Sequence, residues 1–165
     1  MLRLADGRLL SIFRVQACRS YWKSYSHDGV TWTPPAALPF GSARPKLRLL
    51  ADGKVLLSGG RPGLFLWVSD ADAENWSAYN LASVHNRQID AHGLPASWKY
   101  SEAFVNSSTA ETYVMESTAY TSLLDLGQGQ MLVTYDRLAN GWRFPPGRWG
   151  DCDRTFSLRF RYSAP

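Results

Sequence analysis

Apolar positions in this chain fall in short runs separated by tight turns, and one such unit occurs three times. The unit reads LADGRLLSI from Leu4, LADGKVLLS from Leu50 and LGQGQMLVT from Leu126. Each copy has an apolar stretch, a turn at Asp-Gly or Gln-Gly and a second apolar stretch. This is a strong hairpin signal, because glycine adopts a positive φ without steric cost. The pattern therefore predicts antiparallel strands joined by hairpins.

The spacing of these units indicates how the strands are grouped. Gly7 and Gly53 are 46 residues apart, and Gly53 and Gly129 are 76 residues apart. A repeat of roughly 40 to 50 residues built from short strands is typical of β-propeller blades. The longer second spacing indicates an insertion of about 30 residues before the third unit. We therefore predict an all-β fold of about three four-stranded antiparallel blades, with helix nearly absent.

The boundaries follow from the same pattern. Blade one is placed at about 1–40, blade two at about 41–82, the insertion at about 83–117 and blade three at about 118–165. The expected strands are at about 8–15, 21–26 and from Trp32; at about 45–50, 54–58, 64–69 and 77–81; and at about 121–126, 130–135 and 155–162. Propellers need at least about four blades, so we expect a portion of a longer propeller or closure by association.

Composition narrows the function classes. The net charge is +4, but the Lys and Arg residues are dispersed, which favours a mildly basic surface or an anionic substrate over a nucleic acid. No apolar run approaches the roughly 18 residues of a membrane span. The first residues lack the features of a signal peptide, and the compartment stays open because the chain reads as a fragment. Cys18 and Cys152 have no metal-ligand spacing, and their pairing also stays open.

A heptapeptide between two expected strands resembles a known propeller motif. The stretch SHDGVTW, from Ser26 to Trp32, resembles the Asp-box Ser-x-Asp-x-Gly-x-Thr-Trp of sialidases and related propellers, with one residue fewer before the glycine. Asp28 is expected to accept hydrogen bonds from turn amides, Gly29 to adopt a positive φ, and the ring of Trp32 to be largely buried. In that family the motif is structural and does no chemistry.

Two further stretches extend the resemblance. SDADAENW, from Ser69 to Trp76, resembles a degenerate Asp-box in which alanines replace the motif's Asp and Gly. STAYTSL around Tyr120, followed by LVTYD ending at Asp136, resembles the sialidase stretch that carries the nucleophilic tyrosine, with Asp where Glu is usual. The resemblance covers most of the chain at the level of the superfamily. It implies a six-bladed propeller that hydrolyses terminal sialic acids.

Topology predicts which residues share one face. Adjacent blade strands are antiparallel, so the Asp-box turns lie at one end of the blades, and the turns after second strands lie at the other. That second end is expected to hold Arg44, Arg61, Tyr120, Arg137 and the insertion. Arg44 lies nine residues before Gly53, and Tyr120 lies nine before Gly129, so the two occupy equivalent positions at the mouth of a central channel. Ligands bind where loops converge on a rigid scaffold.

The resemblance assigns roles to these residues. Arginine guanidinium groups suit a sialic acid carboxylate because they are planar, always charged and bidentate. Tyrosine replaces the usual carboxylate nucleophile of glycosidases in sialidases. The catalytic candidates are Tyr120, with Glu116 or Glu102 as its activator; the substrate-binding candidates are Arg44, Arg61, Arg87 and Arg137. The acid/base Asp of the family is not assigned. We expect no cofactor and no metal, and we expect His85 and His92 to be polar loop residues.

Two other interpretations stay open. Tyr120 is equally well explained as a buried aromatic residue of an inner strand, and Arg44 as a surface arginine. If Tyr120 and Arg44 have only these roles, the chain is either a noncatalytic Asp-box propeller that binds glycans or proteins or a structural propeller with no sugar site. Both alternatives stay open because a fold does not determine function. The expected partner is a sialylated or other acidic glycan. The remaining blades, or self-association, are expected to cover exposed blade edges.

Overall fold

Three antiparallel sheets hold about half of the residues that the structure describes. The computed structural model describes residues 1–15, 20–107, 120–138 and 154–162. Within these residues the sheets contain four, four and three strands, and each sheet is a simple meander in chain order. The described residues show no closed ring of sheets. The all-β prediction is therefore confirmed at the level of three antiparallel sheets.

The strands lie close to the positions expected from the repeat. The first sheet comprises β1 (Leu2–Arg3), β2 (Leu9–Val15), β3 (Ser20–Ser26) and β4 (Ala36–Ala37). The second comprises β5 (Ala43–Leu49), β6 (Val55–Gly60), β7 (Leu64–Ser69) and β8 (Trp76–Asn80). The third comprises β9 (Thr121–Gly127), β10 (Gln130–Arg137) and β11 (Arg154–Arg161). Only β4 begins later than the expected Trp32, because Pro34 and Pro35 have no N–H to pair with β3.

The three repeat units form two kinds of turn. In the first unit the Gly7 amide donates to the Leu4 carbonyl and the Leu4 amide to the Arg8 carbonyl. The second unit repeats both bonds 46 residues later, and both turn glycines have positive φ. The third unit has a two-residue loop, Gln128-Gly129, with φ of 51° and 69°. Positive φ at both loop residues is the pattern of a type I′ hairpin, so the third copy is tighter than the other two.

The second sheet lies between the other two and is covered on both faces. Every residue of β6 is buried. Val55 and Leu57 pack in an apolar cluster with residues of the first sheet, such as Leu10. Leu56 packs in a separate cluster with residues of the third sheet, such as Val133. Burial on both faces explains why β6 is continuously apolar or small rather than alternating.

Ionic contacts join the first sheet to the turn between β7 and β8. Lys23 is buried, and its Nζ lies 2.6 Å from a carboxylate oxygen of Glu74. Arg8 contacts Asp72 at 2.8 Å, and the hydroxyl of Tyr25 donates to the Asp72 carbonyl at 2.7 Å. The Lys23 ammonium holds the pKa of Glu74 below its usual value. These contacts connect two neighbouring sheets through their turns and side chains.

The insertion is helical where it is described, which corrects the expectation that helix is nearly absent. It contains α1 (Leu81–Ala91), a 3-10 turn (Ala96–Trp98) and α2 (Glu102–Val105). The side chain of Asn80 caps α1 by accepting from the Ser83 amide, as asparagine commonly does. The buried residues of α1 recur at helical spacing, at Leu81, Ala82, His85 and Ile89. No helix in these ranges is long and apolar enough to cross a membrane.

Candidate functional site

One end of the second and third sheets collects the predicted site residues. At this end Ala43 pairs with Gly60 in the second sheet, and Thr121 pairs with Tyr135 in the third. Strand β5 also packs directly against β9, so the first strands of the two sheets are neighbours. Three of the predicted residues adjoin these pairs, and they are Arg44, Arg61 and Tyr120. Neighbouring strands therefore bring them to one end of the fold.

Arg44 and Tyr120 are in direct contact. The guanidinium carbon of Arg44 lies 3.9 Å from the centroid of the Tyr120 ring, which is a cation–π geometry. Arg44 is exposed and Tyr120 is half-buried, so the pair faces solvent rather than the core. The pairing of β5 with β6 shifts register between Ala43 and Lys46, which marks a bulge at Arg44. Bulges re-aim side chains at functional sites, and this one places Arg44 over the ring.

Backbone strain accompanies two of these arginines. Arg44 has a φ of 45° and Arg61 a φ of 66°, both in the left-handed region that non-glycine residues rarely adopt. A hydrogen bond ties the two segments together, because the Ala43 amide donates to the Arg61 carbonyl at 2.9 Å. Ser42 Oγ donates to the same carbonyl at 3.3 Å. Strained residues that are held by their surroundings cluster at binding sites, which favours a functional role for this end.

Asp136 positions the chain at Tyr120. Its Oδ1 accepts a hydrogen bond from the Tyr120 amide at 3.1 Å. The Asp136 carbonyl accepts from the hydroxyl of Tyr100 at 3.2 Å, which links the site to the insertion. The Asp136 carboxylate therefore fixes the backbone at Tyr120, and its carbonyl connects this point to the insertion.

Arg137 extends the site toward the insertion. It is buried, and its Nε donates to the Lys99 carbonyl at 3.0 Å. Its guanidinium carbon lies 5.8 Å from the centroid of the Tyr100 ring. Arg137 follows Asp136 at the end of β10, so it lies next to the residue that contacts the Tyr120 backbone. The third sheet therefore contributes both a carboxylate and a guanidinium group to this end.

The other candidates lie elsewhere or outside the described residues. Glu102 is exposed at the first position of α2, whose N-cap is Ser101. Arg87 is exposed on α1, and its Nη1 donates to the Ser83 hydroxyl at 2.9 Å. Glu116, Cys18 and Cys152 lie outside the described residues. Arg87 and Glu102 thus lie on the helices of the insertion, whereas Arg44 lies on β5.

A buried histidine lies behind this end and was not expected from the sequence. His85 is on α1, not in a polar loop, and it is only 2% exposed. Its Nε2 lies 2.9 Å from the Trp98 carbonyl, which only accepts, so Nε2 carries a proton. The Tyr135 hydroxyl lies 2.9 Å from Nδ1 and therefore donates to it in the neutral ring. Burial raises the pKa of Tyr135, which keeps its hydroxyl protonated for this role.

The Asp-box hairpin lies at the opposite end of the first sheet and forms the expected contacts. Asp28 Oδ1 accepts from the amides of Val30 and Thr31 at 2.8 and 2.7 Å. These amides lower the pKa of Asp28 to about 2. Gly29 has a φ of 79°, and its amide donates to the Ser26 hydroxyl at 2.8 Å.

The tryptophan of that hairpin differs from expectation. Trp32 donates from Nε1 to the Gly29 carbonyl at 3.3 Å, but its ring is half-buried rather than largely buried. Cavities of about 550 and 420 Å³ lie beside the ring, and β4 begins four residues later.

In the degenerate hairpin of the second sheet, the carboxylate of Asp70 accepts the hydrogen bonds of the turn amides. Asp70 accepts from the Glu74 and Asn75 amides, at 2.9 and 3.3 Å. Ala73 has a φ of 56° where the first hairpin has Gly29, and Trp76 Nε1 donates to its carbonyl at 3.0 Å. The loss of an Asp at position 71 is thus compensated by Asp70. Both hairpins lie at the ends of their sheets away from Arg44.

Two further observations concern metal-ligating side chains and cavities. Among the described residues, no three His, Cys, Asp or Glu side chains are grouped closely enough to hold a metal ion. A cavity of about 670 Å³ lies between the second sheet and β11 and includes none of the predicted site residues.

Comparisons with models of known families, with curated proteins and with solved structures found no match.

Proposed function

We propose that this protein is a sialidase-type glycoside hydrolase, which removes terminal sialic acid or a related acidic sugar. In this proposal the three sheets are blades of a six-bladed sialidase-like propeller. Tyr120 is the nucleophile, and Arg44 binds the substrate carboxylate. Arg61 and Arg137 supply further positive charge at the same end, and Arg87 lies farther along α1. Glu102 or Glu116 activates the tyrosine.

The contact between Arg44 and Tyr120 is the observation that carries the proposal. A sialic acid has its carboxylate on the same carbon that a retaining enzyme attacks. The nucleophile and the carboxylate ligand must therefore lie side by side, and an arginine 3.9 Å from a half-buried tyrosine ring satisfies that requirement. The positive charge also attracts an acidic sugar, and the guanidinium fork suits a carboxylate.

The reaction would follow the two steps of a retaining glycosidase. In the first, the Tyr120 oxygen forms a bond to the anomeric carbon and its phenolic proton passes to the activating carboxylate, while the bond to the leaving oxygen breaks and that oxygen takes a proton from the acid/base aspartate of the family. In the second, water gives a proton to that aspartate as it attacks the same carbon, and the released tyrosine oxygen takes its proton back from the activating carboxylate. Asp136 contributes by fixing the Tyr120 backbone, through the 3.1 Å bond from the Tyr120 amide.

Turnover of a fluorogenic sialoside by the intact protein tests this function. Tyr120→Phe removes the attacking oxygen and is expected to lower turnover by orders of magnitude at an unchanged melting temperature. Arg44→Lys keeps the charge but loses the bidentate fork, so KM should rise. Tyr79→Phe is the matched control, because Tyr79 is 55% exposed on β8, and it should keep full activity.

The same variants separate catalysis from binding alone. Undiminished turnover in Tyr120→Phe would eliminate Tyr120 as the nucleophile. A wild-type protein that binds sialyllactose without releasing sialic acid, with binding weakened by Arg44→Lys, would instead establish the noncatalytic glycan-binding function.

A further inference from the structure

Within the described part of the chain, the third sheet has one strand fewer than the other two. The first and second sheets each have a fourth strand beside their third, whereas β11 is hydrogen-bonded only to β10 among the described residues. At eight residues β11 is as long as β10. An edge of this length offers a row of backbone donors and acceptors to an added strand.

The register of β11 shows which backbone groups face outward. The Tyr162 amide, immediately after β11, donates to the Gly129 carbonyl at 2.9 Å, so this residue faces β10. Antiparallel pairing alternates, and the even-numbered residues of β11 therefore face β10 as well. The backbone N–H and C=O groups of the odd-numbered residues point to the open edge. These are Thr155, Ser157, Arg159 and Arg161.

The 670 Å³ cavity borders this edge, and its lining combines apolar side chains of two strands with charged residues of both signs. Leu158 and Phe160 of β11 line one wall, and Leu66 and Val68 of β7 line the other. Tyr79 also lines it and is 55% exposed. The volume is within the range of about 300 to 1,000 Å³ typical of ligand sites. An added strand would place alternate apolar side chains here.

The exposed face of β11 is basic. The strand reads RTFSLRFR, with three arginines and no acidic residue. Arg159 and Arg161 are exposed, alternate with the half-buried apolar residues of the strand, and also contribute to the lining of the cavity. Opposite charges across neighbouring strands stabilise a sheet, and like charges destabilise it. Self-pairing of two copies of β11 would bring arginines together and is therefore disfavoured.

We propose that β11 is a docking edge for an extended segment of another protein in which apolar and acidic residues alternate. The segment adds to the third sheet as its fourth strand. Its apolar side chains enter the cavity, and its carboxylates lie beside Arg159 and Arg161. This inference is independent of the proposed hydrolase activity, because the cavity includes none of the predicted site residues.

Binding of synthetic peptides to the full chain tests the proposal. A labelled nine-residue peptide of alternating valine and glutamate is the probe, and its valine–lysine counterpart is the matched control. Fluorescence anisotropy should show saturable binding of the first peptide, weakened by added salt, and none of the second. A valine–glutamate peptide N-methylated at every residue has no backbone donor on either edge and should not bind.

Variants of β11 locate the binding. Ser157→Pro removes an outward N–H without touching the bonds to β10, and it should weaken binding about tenfold, whereas Ser157→Ala keeps the N–H and should bind normally. Arg159→Glu should weaken the glutamate peptide and admit the lysine peptide. Equal binding of both peptides, or full affinity of the N-methylated peptide, would overturn the proposal. A dimer that Ser157→Pro dissociates would overturn it in favour of self-pairing.

Discussion

The Tyr135 hydroxyl lies 2.9 Å from Nδ1 of His85, and this hydrogen bond joins β10 to α1 within the core. Both residues are about 2% exposed. Tyr135→Phe removes the hydroxyl while keeping the ring in place. We expect the free energy of unfolding to fall by about 1 to 3 kcal/mol, because a buried donor to His85 is lost. Urea denaturation measures this, with the exposed Tyr79→Phe as a control that should not change stability.

The low pKa of Asp28 predicts a local response to acid. Its folded-state pKa is about 2, against an ordinary value of 3.8, because it accepts the Thr31 and Val30 amides. A depressed pKa means that this contribution to stability is complete above about pH 4 and is lost as the pH falls toward 2.

Thermal melts of the wild type and Asp28→Asn between pH 7 and pH 2 measure that response. Asparagine retains an acceptor oxygen but does not titrate. The wild type should be the more stable at neutral pH, and the difference should shrink between about pH 4 and pH 2. A difference that is constant with pH would contradict the proposed role of the carboxylate.

Gly59 marks a close approach between the first and second sheets. A Cβ at this position would lie 2.5 Å from the Tyr21 hydroxyl and 2.9 Å from Ser42 Cβ. Gly59→Ala should therefore destabilise the fold by about 1 to 3 kcal/mol, as overpacking of a core does. The double variant with Tyr21→Phe removes the closer clash. Its loss should be smaller than the sum of the two single losses, as a double-mutant cycle would show.

The third hairpin has a residue that its turn does not favour. Gln128 is exposed and has a φ of 51°, a conformation that asparagine adopts more readily than glutamine. Gln128→Asn should stabilise the protein by a few tenths of a kcal/mol to about 1 kcal/mol in thermal or urea unfolding. Gln130→Asn makes the same chemical change inside β10, where asparagine is disfavoured, and should destabilise instead.

Much of the fold was predictable, because hairpins are local. The repeated units place a turn glycine between apolar runs, and their strands lie where expected. The contact between Arg44 and Tyr120 was also accessible, since both lie nine residues before a turn glycine and so share a register. The hydrogen bonds of Asp28 followed from the motif itself.

What was missed depends on tertiary contacts or on weaker signals. Helix α1 carries many polar residues, and its signals were Asn80 as a cap and the four-residue spacing of Leu81, His85 and Ile89. The bond from Tyr135 to His85 joins residues 50 positions apart, and no local pattern predicts it. The positive φ values of Arg44 and Arg61 were not predictable either, because an arginine in the sequence does not indicate a positive φ.

The two interfaces between neighbouring sheets use different kinds of contact, so salt and pH affect them differently. The interface between the first and second sheets combines an apolar cluster with two ion pairs, Lys23 with Glu74 and Arg8 with Asp72. The interface between the second and third sheets combines its apolar cluster with the neutral contact of Ser58 with Thr121 and, at one end, the cation–π contact of Arg44 with Tyr120. Salt screens ion pairs and has less effect on apolar contacts. Ionic strength and acidity therefore affect the contact of the first sheet with the second more than the contact of the second with the third.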